Sequence, residues 1–172
     1  LQSYCRHACP CNRRLNSLFS RSIVHRPGFL AQTSALEQTR DQGTAAFLAG
    51  DFATALAKLK DYVSTNPDDT AAMFNFAVAR YNVELPRRQH VSEARQYLQQ
   101  VLRVDPDHVG AKYKLLEIYD QFSMTAELIR TAASLLENNP QDAIALRYRA
   151  VALRRLADWK PAIDAWKQYV KV

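Results

Sequence analysis

The side chains with the greatest chemical potential lie close together near the start of the sequence. Cys5, His7, Cys9 and Cys11 fall within one short stretch, and thiolates with an imidazole are ligands that zinc accepts in proteins. Their spacing does not match the paired Cys-x-x-Cys arms of a structural zinc site, and an odd number of cysteines cannot close a disulfide framework. We therefore expect unpaired thiols here, with no bound metal and no other cofactor.

The rest of the chain has no arrangement typical of an active site. His25, His90 and His108 have no catalytic neighbour at helical spacing. The four glycines are too dispersed for a phosphate-binding loop, and neither a zinc-protease motif nor a nucleophile elbow occurs. Neighbouring carboxylates such as Asp68 and Asp69 are typical of helix caps rather than of a general acid and base. The sequence predicts a protein without catalytic activity.

Positive charge is concentrated in the N-terminal segment. The formal net charge is +6, and residues 1–35 contain five arginines and no acidic residue. The remainder is nearly neutral, so the basic character does not by itself indicate a nucleic acid or a membrane surface as partner. No stretch approaches the roughly 20 apolar residues of a membrane-spanning helix.

Residues 1–33 are expected to form a basic, flexible leader. This Arg- and Ser-rich stretch resembles a mitochondrial transit peptide. Because the sequence begins at Leu1 rather than Met, a fragment with a leading linker is the favoured interpretation. The expected location is therefore intracellular, with the cytoplasm favoured over the mitochondrion.

An internal repeat organises the remaining residues. Prolines preceded by Asn or Asp stand at the three junctions Asn66-Pro67, Asp105-Pro106 and Asn139-Pro140. The last two prolines are 34 residues apart and the first two are 39 apart, as a 34-residue unit with one five-residue insertion would give. The units are residues 36–69, 70–108, 109–142 and 143–172, with the insertion within residues 84–88. The last unit stops at its position 30, so we expect the native chain to continue.

The period and the small residues at two positions resemble the tetratricopeptide repeat. In that family, small residues at positions 8 and 20 let two antiparallel helices approach closely. Three units conform, with Gly43, Ala77 and Ala150 at position 8 and Ala55, Ala94 and Ala162 at position 20. The third unit has Leu116 and Leu128 there, and we expect its helices to lie further apart. The resemblance implies an all-α, right-handed superhelical solenoid of antiparallel helix pairs over residues 34–172.

Residues that typically start or end helices predict helices of about 12 to 15 residues between the proline junctions. Gly50 can end the first helix in the left-handed conformation. The predicted N-terminal caps are Asp51, Asp69, Asp107, Ser123, Asp142 and Asp158. Pro86 prevents a continuous helix through the insertion. A tolerated loop is the favoured interpretation of the insertion, and Arg87 and Arg88 would be its contact residues if it binds a partner.

The resemblance also implies a binding surface, because the first helix of each tetratricopeptide repeat lines a concave groove. The candidates that we select on that surface are Arg40, Asn75, Tyr113, Lys114, Arg147, Tyr148 and Arg154. Cationic side chains pair with carboxylates, and tyrosine supplies rigid contact area. We predict a non-catalytic scaffold or adaptor for protein-protein interaction that holds an extended acidic peptide, alone or within a larger assembly.

Other binding modes fit the sequence less well. Some family members grip the terminal Glu-Glu-Val-Asp of heat-shock chaperones with five residues, and two of those places hold Thr44 and Gly110 here instead of an amide and a cation. Losing such charge-assisted hydrogen bonds argues against tight binding of that tail. The cations could also form a solvated face paired with neighbouring acids. Helical-hairpin repeats of similar length bind single-stranded RNA, but acidic residues interrupt the basic face and make nucleic acid the less favoured partner.

Overall fold

Eight α-helices follow one another along residues 27–172, the part of the chain that the computed structural model describes. They are α1 (Pro27–Leu48), α2 (Phe52–Thr65), α3 (Thr70–Asn82), α4 (Gln89–Val104), α5 (Val109–Gln121), α6 (Thr125–Asn138), α7 (Ala143–Arg155) and α8 (Trp159–Tyr169). A single 3-10 turn, Pro86–Arg88, precedes α4, and this described part contains no strand. The expectations for Cys5, His7, Cys9, Cys11 and the leader up to residue 26 lie outside the described residues.

The helices pair as the repeat predicts. Helices α3, α5 and α7 begin at Thr70, Val109 and Ala143, the first residues of the second, third and fourth units. Each packs against the helix that follows it, and α4 and α6 in turn pack against the first helix of the next pair. The predicted fold class, an all-α solenoid of antiparallel helix pairs, is confirmed.

The first helix is longer than the predicted 12 to 15 residues. It has 22 residues and begins at Pro27, where the fixed φ of proline suits the first helical position. No further proline occurs before Leu48, so nothing in the backbone interrupts it. Gly50 has φ of +79° and ends this helix in the left-handed conformation, as predicted.

The predicted caps are correct for three helices. Asp51, Asp69 and Asp142 accept hydrogen bonds from the backbone N–H groups of Thr54, Ala72 and Ala145 at 3.1, 2.9 and 2.9 Å. Each bond satisfies one of the amide groups that the first turn of a helix leaves without a partner.

The predictions for Asp107 and Ser123 are wrong, and Asp158 occupies the predicted N-cap position of α8 without a side-chain hydrogen bond. His108 caps α5 instead, because its Nδ1 lies 3.1 Å from the backbone nitrogen of Ala111, three residues further on. Ser123 has φ of +53°, and Met124 occupies the residue before α6. Asp158 does precede α8, but its side chain accepts no hydrogen bond from that helix.

The buried core runs between the paired helices. Leu116 and Leu128 are both 0 % exposed. In the third unit, these two large side chains therefore fill the space between the helices, whereas in the other units small residues let the helices approach. Fewer Cα atoms of α5 and α6 come within 8 Å of each other than in the other helix pairs, in agreement with the expected wider separation. In the first unit, by contrast, a Cβ atom on Gly43 would lie 2.6 Å from Cγ of Leu59.

The contacts between helices define an inner and an outer side. Helix α1 contacts α3, α3 contacts α5, and α5 contacts α7, whereas the described even-numbered helices do not contact one another. Helices α1, α3, α5 and α7 therefore lie closer to one another than the even-numbered helices do, and they line the concave surface of the array. None of the helices described here is long and apolar enough to span a membrane.

Candidate functional site

A hydrogen-bond network ties α3 to α5 at the centre of the concave surface. Lys114 Nζ lies 2.7 Å from Glu117 Oε2, and the hydroxyl of Tyr81 donates to Glu117 Oε1 at 2.8 Å. The Lys114 ammonium is also 4.8 Å from the centre of the Tyr81 ring. Gln121 Nε2 donates to the Tyr81 hydroxyl at 2.6 Å. The charge of Lys114 is thus already paired, and an acidic ligand would compete with Glu117 for it.

The network shifts the pKa values of Glu117 and Tyr81. Burial raises the pKa of Glu117, but hydrogen bonds from Lys114 and Tyr81 favour the carboxylate and hold the pKa below its ordinary value of 4.5. Burial, followed by the hydrogen bond to Glu117, raises the pKa of Tyr81. Glu117 is therefore ionised and Tyr81 is neutral at physiological pH.

The Glu117 carboxyl should titrate below pH 4.5, and Lys114→Met should raise its midpoint. A depressed folded-state pKa means that the unfolded chain takes up the proton first, so the stabilisation from ionised Glu117 is present above pH 4.5 and is lost as the pH falls through the folded-state pKa. Side-chain carbon chemical shifts followed against pH measure both midpoints. A midpoint that does not move in Lys114→Met would show that the ion pair does not set this pKa.

Tyr113 serves mainly to position α7. Its hydroxyl donates to Asp142 Oδ2, the residue whose other carboxylate oxygen caps α7. That hydrogen bond, followed by burial, raises the pKa of Tyr113. The ring is half-buried and packs against the core, so Tyr113 offers a ligand only part of its surface.

The first two candidates, Arg40 and Asn75, lie towards the N-terminal end of the surface. Arg40 Nη2 lies 2.8 Å from Asp41 Oδ1, and its guanidinium lies 5.8 Å from the centre of the Tyr62 ring. Asn75 is half-buried on α3. The charge of Arg40 is therefore neutralised by Asp41. This pairing is what the alternative interpretation, a solvated face of paired cations, requires.

The cations of α7 differ from those of α1 and α5. Arg147 and Arg154 are exposed, and among the described residues neither has a carboxylate oxygen within 4.0 Å. They stand two turns apart on one face of the helix, about 10 Å along its axis. The Arg147 guanidinium lies 4.3 Å from the centre of the half-buried Tyr148 ring, which restricts its orientation.

The structure brings Lys114, Arg147, Tyr148 and Arg154 together on adjacent helices, α5 and α7. Arg40 lies at the opposite end of the array. Sequence reasoning missed Tyr81 and Gln121, which complete the central network. Tyr81 occupies position 12 of its repeat, as Arg154 does in the fourth, and that equivalence is the signal by which it could have been found.

The position at which chaperone-binding tetratricopeptide proteins carry a clamp lysine has little space for a side chain here. A Cβ atom on Gly110 would lie 3.1 Å from Cζ of Phe74, and the Phe74 ring packs against His108 with centroids 4.9 Å apart. A lysine at residue 110 would require Phe74 to move, which agrees with the expectation that this chain does not bind the chaperone tail tightly.

At the C-terminal ends of α3 and α5, the edge of the concave surface borders a wide cavity of about 730 Å³. Tyr81 and Gln121 line it on one side, and Arg87 and Arg88 of the insertion line it on the other. The insertion therefore borders the concave surface rather than forming a loop remote from it.

Comparisons with known proteins identify the fold. No family model matches the chain, and no curated protein is similar to it. Among solved structures, one described as MamA superposes with a TM-score of 0.71 at 17% identity, over 84% of this chain and 82% of that one. MamA 41-end from Desulfovibrio magneticus RS-1 has a TM-score of 0.68 at 18% identity, over 79% and 74% of the two chains. A third, described as MamA AMB-1, has a TM-score of 0.69 at 21% identity, over 81% and 73%. At these identities, the likeness supports the tetratricopeptide-like solenoid at the level of the fold.

Proposed function

We propose that this chain is a non-catalytic scaffold that binds an extended acidic segment of a partner protein across α5 and α7. The observation that carries the proposal is the pair Arg147 and Arg154, two exposed cations on the concave surface without a carboxylate partner in the described chain. An incoming carboxylate can pair with either without displacing an internal partner.

The distribution of charge supports one location for the main contacts with the ligand. Arg40 is paired with Asp41 and Lys114 with Glu117, so free positive charge rises towards α7. Exposed ion pairs contribute little to stability, but a ligand carboxylate that competes with Glu117 must still displace it. We therefore place the main charge contacts at α7 and give Lys114 a secondary role.

The spacing of the two arginines supports a specific ligand pattern. They are about 10 Å apart along α7, and a peptide in the polyproline II conformation advances about 3.1 Å per residue with three residues per turn, so that every third side chain lies on the same face. Acidic side chains three residues apart therefore match both guanidiniums. Tyr148 beside Arg147 and the half-buried Val151 between the two arginines offer apolar contact to the intervening residues.

Selection from a random peptide library displayed on phage tests this function. The proposal expects enrichment of peptides that carry Asp or Glu three residues apart, with the enrichment lost when the selection uses the Arg147→Glu, Arg154→Glu double variant. Selected peptides with no excess of acidic residues would contradict it. Enrichment that persists in the variant would place the ligand elsewhere on the molecule.

A further inference from the structure

A second, smaller cavity lies on the other side of the insertion, between the start of α4 and the end of α5. Its volume is about 280 Å³. Three arginines and three large apolar residues line it: Arg87, Arg88, Arg95, Ile118, Phe122 and Met124. Phe122 is 42 % exposed and Met124 is half-buried, whereas Ile118 is 1 % exposed and forms the floor of the cavity. The residues come from the insertion, from α4, and from the end of α5 with the turn that follows it, so only the folded array assembles them.

The positive charge in this cavity is uncompensated. No carboxylate oxygen of the described residues lies within 4.0 Å of Arg87, Arg88 or Arg95, and residues 1–34 contain no acidic side chain. Arg95 Nη1 instead donates to Met124 Sδ at 3.7 Å, a weak acceptor. The Arg88 guanidinium lies 5.9 Å from the centre of the Phe122 ring. No acidic residue lines the cavity.

The backbone that carries two of these arginines is strained. Arg87 and Arg88 both have positive φ, at 56° and 58°, a conformation that L-residues with a Cβ atom rarely adopt. The helix that they introduce has no side-chain cap, as is also true of α6 and α8. The partial positive charge at the start of α4 therefore adds to that of the arginines.

We propose that this cavity is a second binding site, which takes a segment of a partner protein where carboxylates flank one large apolar side chain. Its volume is close to the lower limit of small-ligand pockets, about 300 Å³, which suits a single aromatic or long aliphatic side chain. The guanidiniums complement carboxylates on either side of it. The aliphatic and thioether groups of Ile118 and Met124 favour an apolar side chain over a nucleotide base. This proposal does not depend on the function assigned to α7.

The two methionines of the chain give a direct measurement. Met124 lines the cavity, and Met73 is 0 % exposed in the core. In the full-length protein labelled with [¹³C-methyl]methionine, the Met124 signal reports occupancy of the cavity and the Met73 signal reports the integrity of the core. Comparison with Met124→Leu assigns the signals.

The probe is the peptide acetyl-Glu-Glu-Phe-Glu-Glu-amide. Its addition should shift the Met124 methyl signal in a saturable manner and leave Met73 unchanged. Replacing every Glu of the peptide by Gln, or its Phe by Ala, should raise the dissociation constant at least tenfold. Equal affinity for the Gln peptide would overturn the proposal, as would a shift of Met124 by oligouridine at lower concentration than by the peptide.

Matched variants separate this site from the concave surface. Arg88→Glu with Arg95→Glu should weaken the Met124 response at least tenfold, and Arg88→Gln with Arg95→Gln should weaken it less. Arg103→Glu with Arg130→Glu changes the net charge as much as the first pair does, but on exposed residues outside the cavity, and should leave the response intact. Arg147→Glu with Arg154→Glu should leave it intact as well. Loss of the response in either of the last two pairs would contradict a separate site.

Discussion

Leu116→Ala is expected to lower the free energy of unfolding by about 2 to 5 kcal/mol, the range measured for buried Leu-to-Ala substitutions. Alanine is the kind of residue that the tetratricopeptide resemblance places at this position. In this chain, however, Leu116 is 0 % exposed and Leu128, at the other small-residue position of the unit, is also 0 % exposed. Because α5 and α6 are spaced around these side chains, removing one leaves a cavity rather than a closer helix pair.

Urea denaturation followed by far-ultraviolet circular dichroism measures this loss. Leu48→Ala is the matched control, because Leu48 is 78 % exposed and its substitution should change the free energy by no more than about 0.5 kcal/mol. A neutral or stabilising effect of Leu116→Ala would show that α5 and α6 can move together, as the helices do around Gly43 in the first unit.

Charge reversal on α7 is expected to have the largest effect on binding. Arg147→Glu with Arg154→Glu should raise the dissociation constant of an acidic peptide about 100-fold or more. Each charge-assisted hydrogen bond contributes about 1.5 to 3 kcal/mol, and each 1.4 kcal/mol corresponds to about a tenfold change in affinity. Both side chains are exposed, so the variant should fold normally.

Fluorescence anisotropy with a labelled peptide from the library measures this change. The control pair, Arg103→Glu with Arg130→Glu on α4 and α6, alters the net charge equally and should change the dissociation constant by less than about threefold. A peptide with Lys in place of its acidic residues should recover binding to the α7 variant. Equal loss of affinity in both variants would mean that the net charge, and not a site on α7, attracts the ligand.

The repeat could be read from the sequence because its signals are local. A proline near the end of each of the first three units, together with small residues at most of the helix crossings, places the starts of α3, α5 and α7 at Thr70, Val109 and Ala143. The caps were less accessible. Asp107 and His108 are adjacent, and only the backbone geometry decides that the imidazole, three residues before Ala111, accepts the hydrogen bond.

The site depends on packing between units, which the sequence pattern does not specify. Tyr81 is 36 residues from Glu117, and Tyr113 is 29 residues from Asp142; these pairs meet only because successive units stack. The resemblance predicted that Lys114 lies on the concave surface, and the alternative interpretation of a paired face predicted the ion pair with Glu117 that the structure contains. The second cavity likewise depends on the insertion, in which two successive arginines adopt the left-handed backbone conformation. The repeat pattern does not predict such a pair.

The central claim, that an acidic segment binds along α7 on the concave surface, is tested most directly by paramagnetic relaxation from a nitroxide-labelled acidic peptide. This peptide contains no large apolar side chain and so lacks the group that the cavity beside α4 requires. The account expects the strongest broadening of backbone amide signals between Arg147 and Arg154, with weaker broadening on α5 around Lys114. Amides of α4 and α6 should be broadened least. Broadening strongest on α4, α6 or α8 would contradict the account.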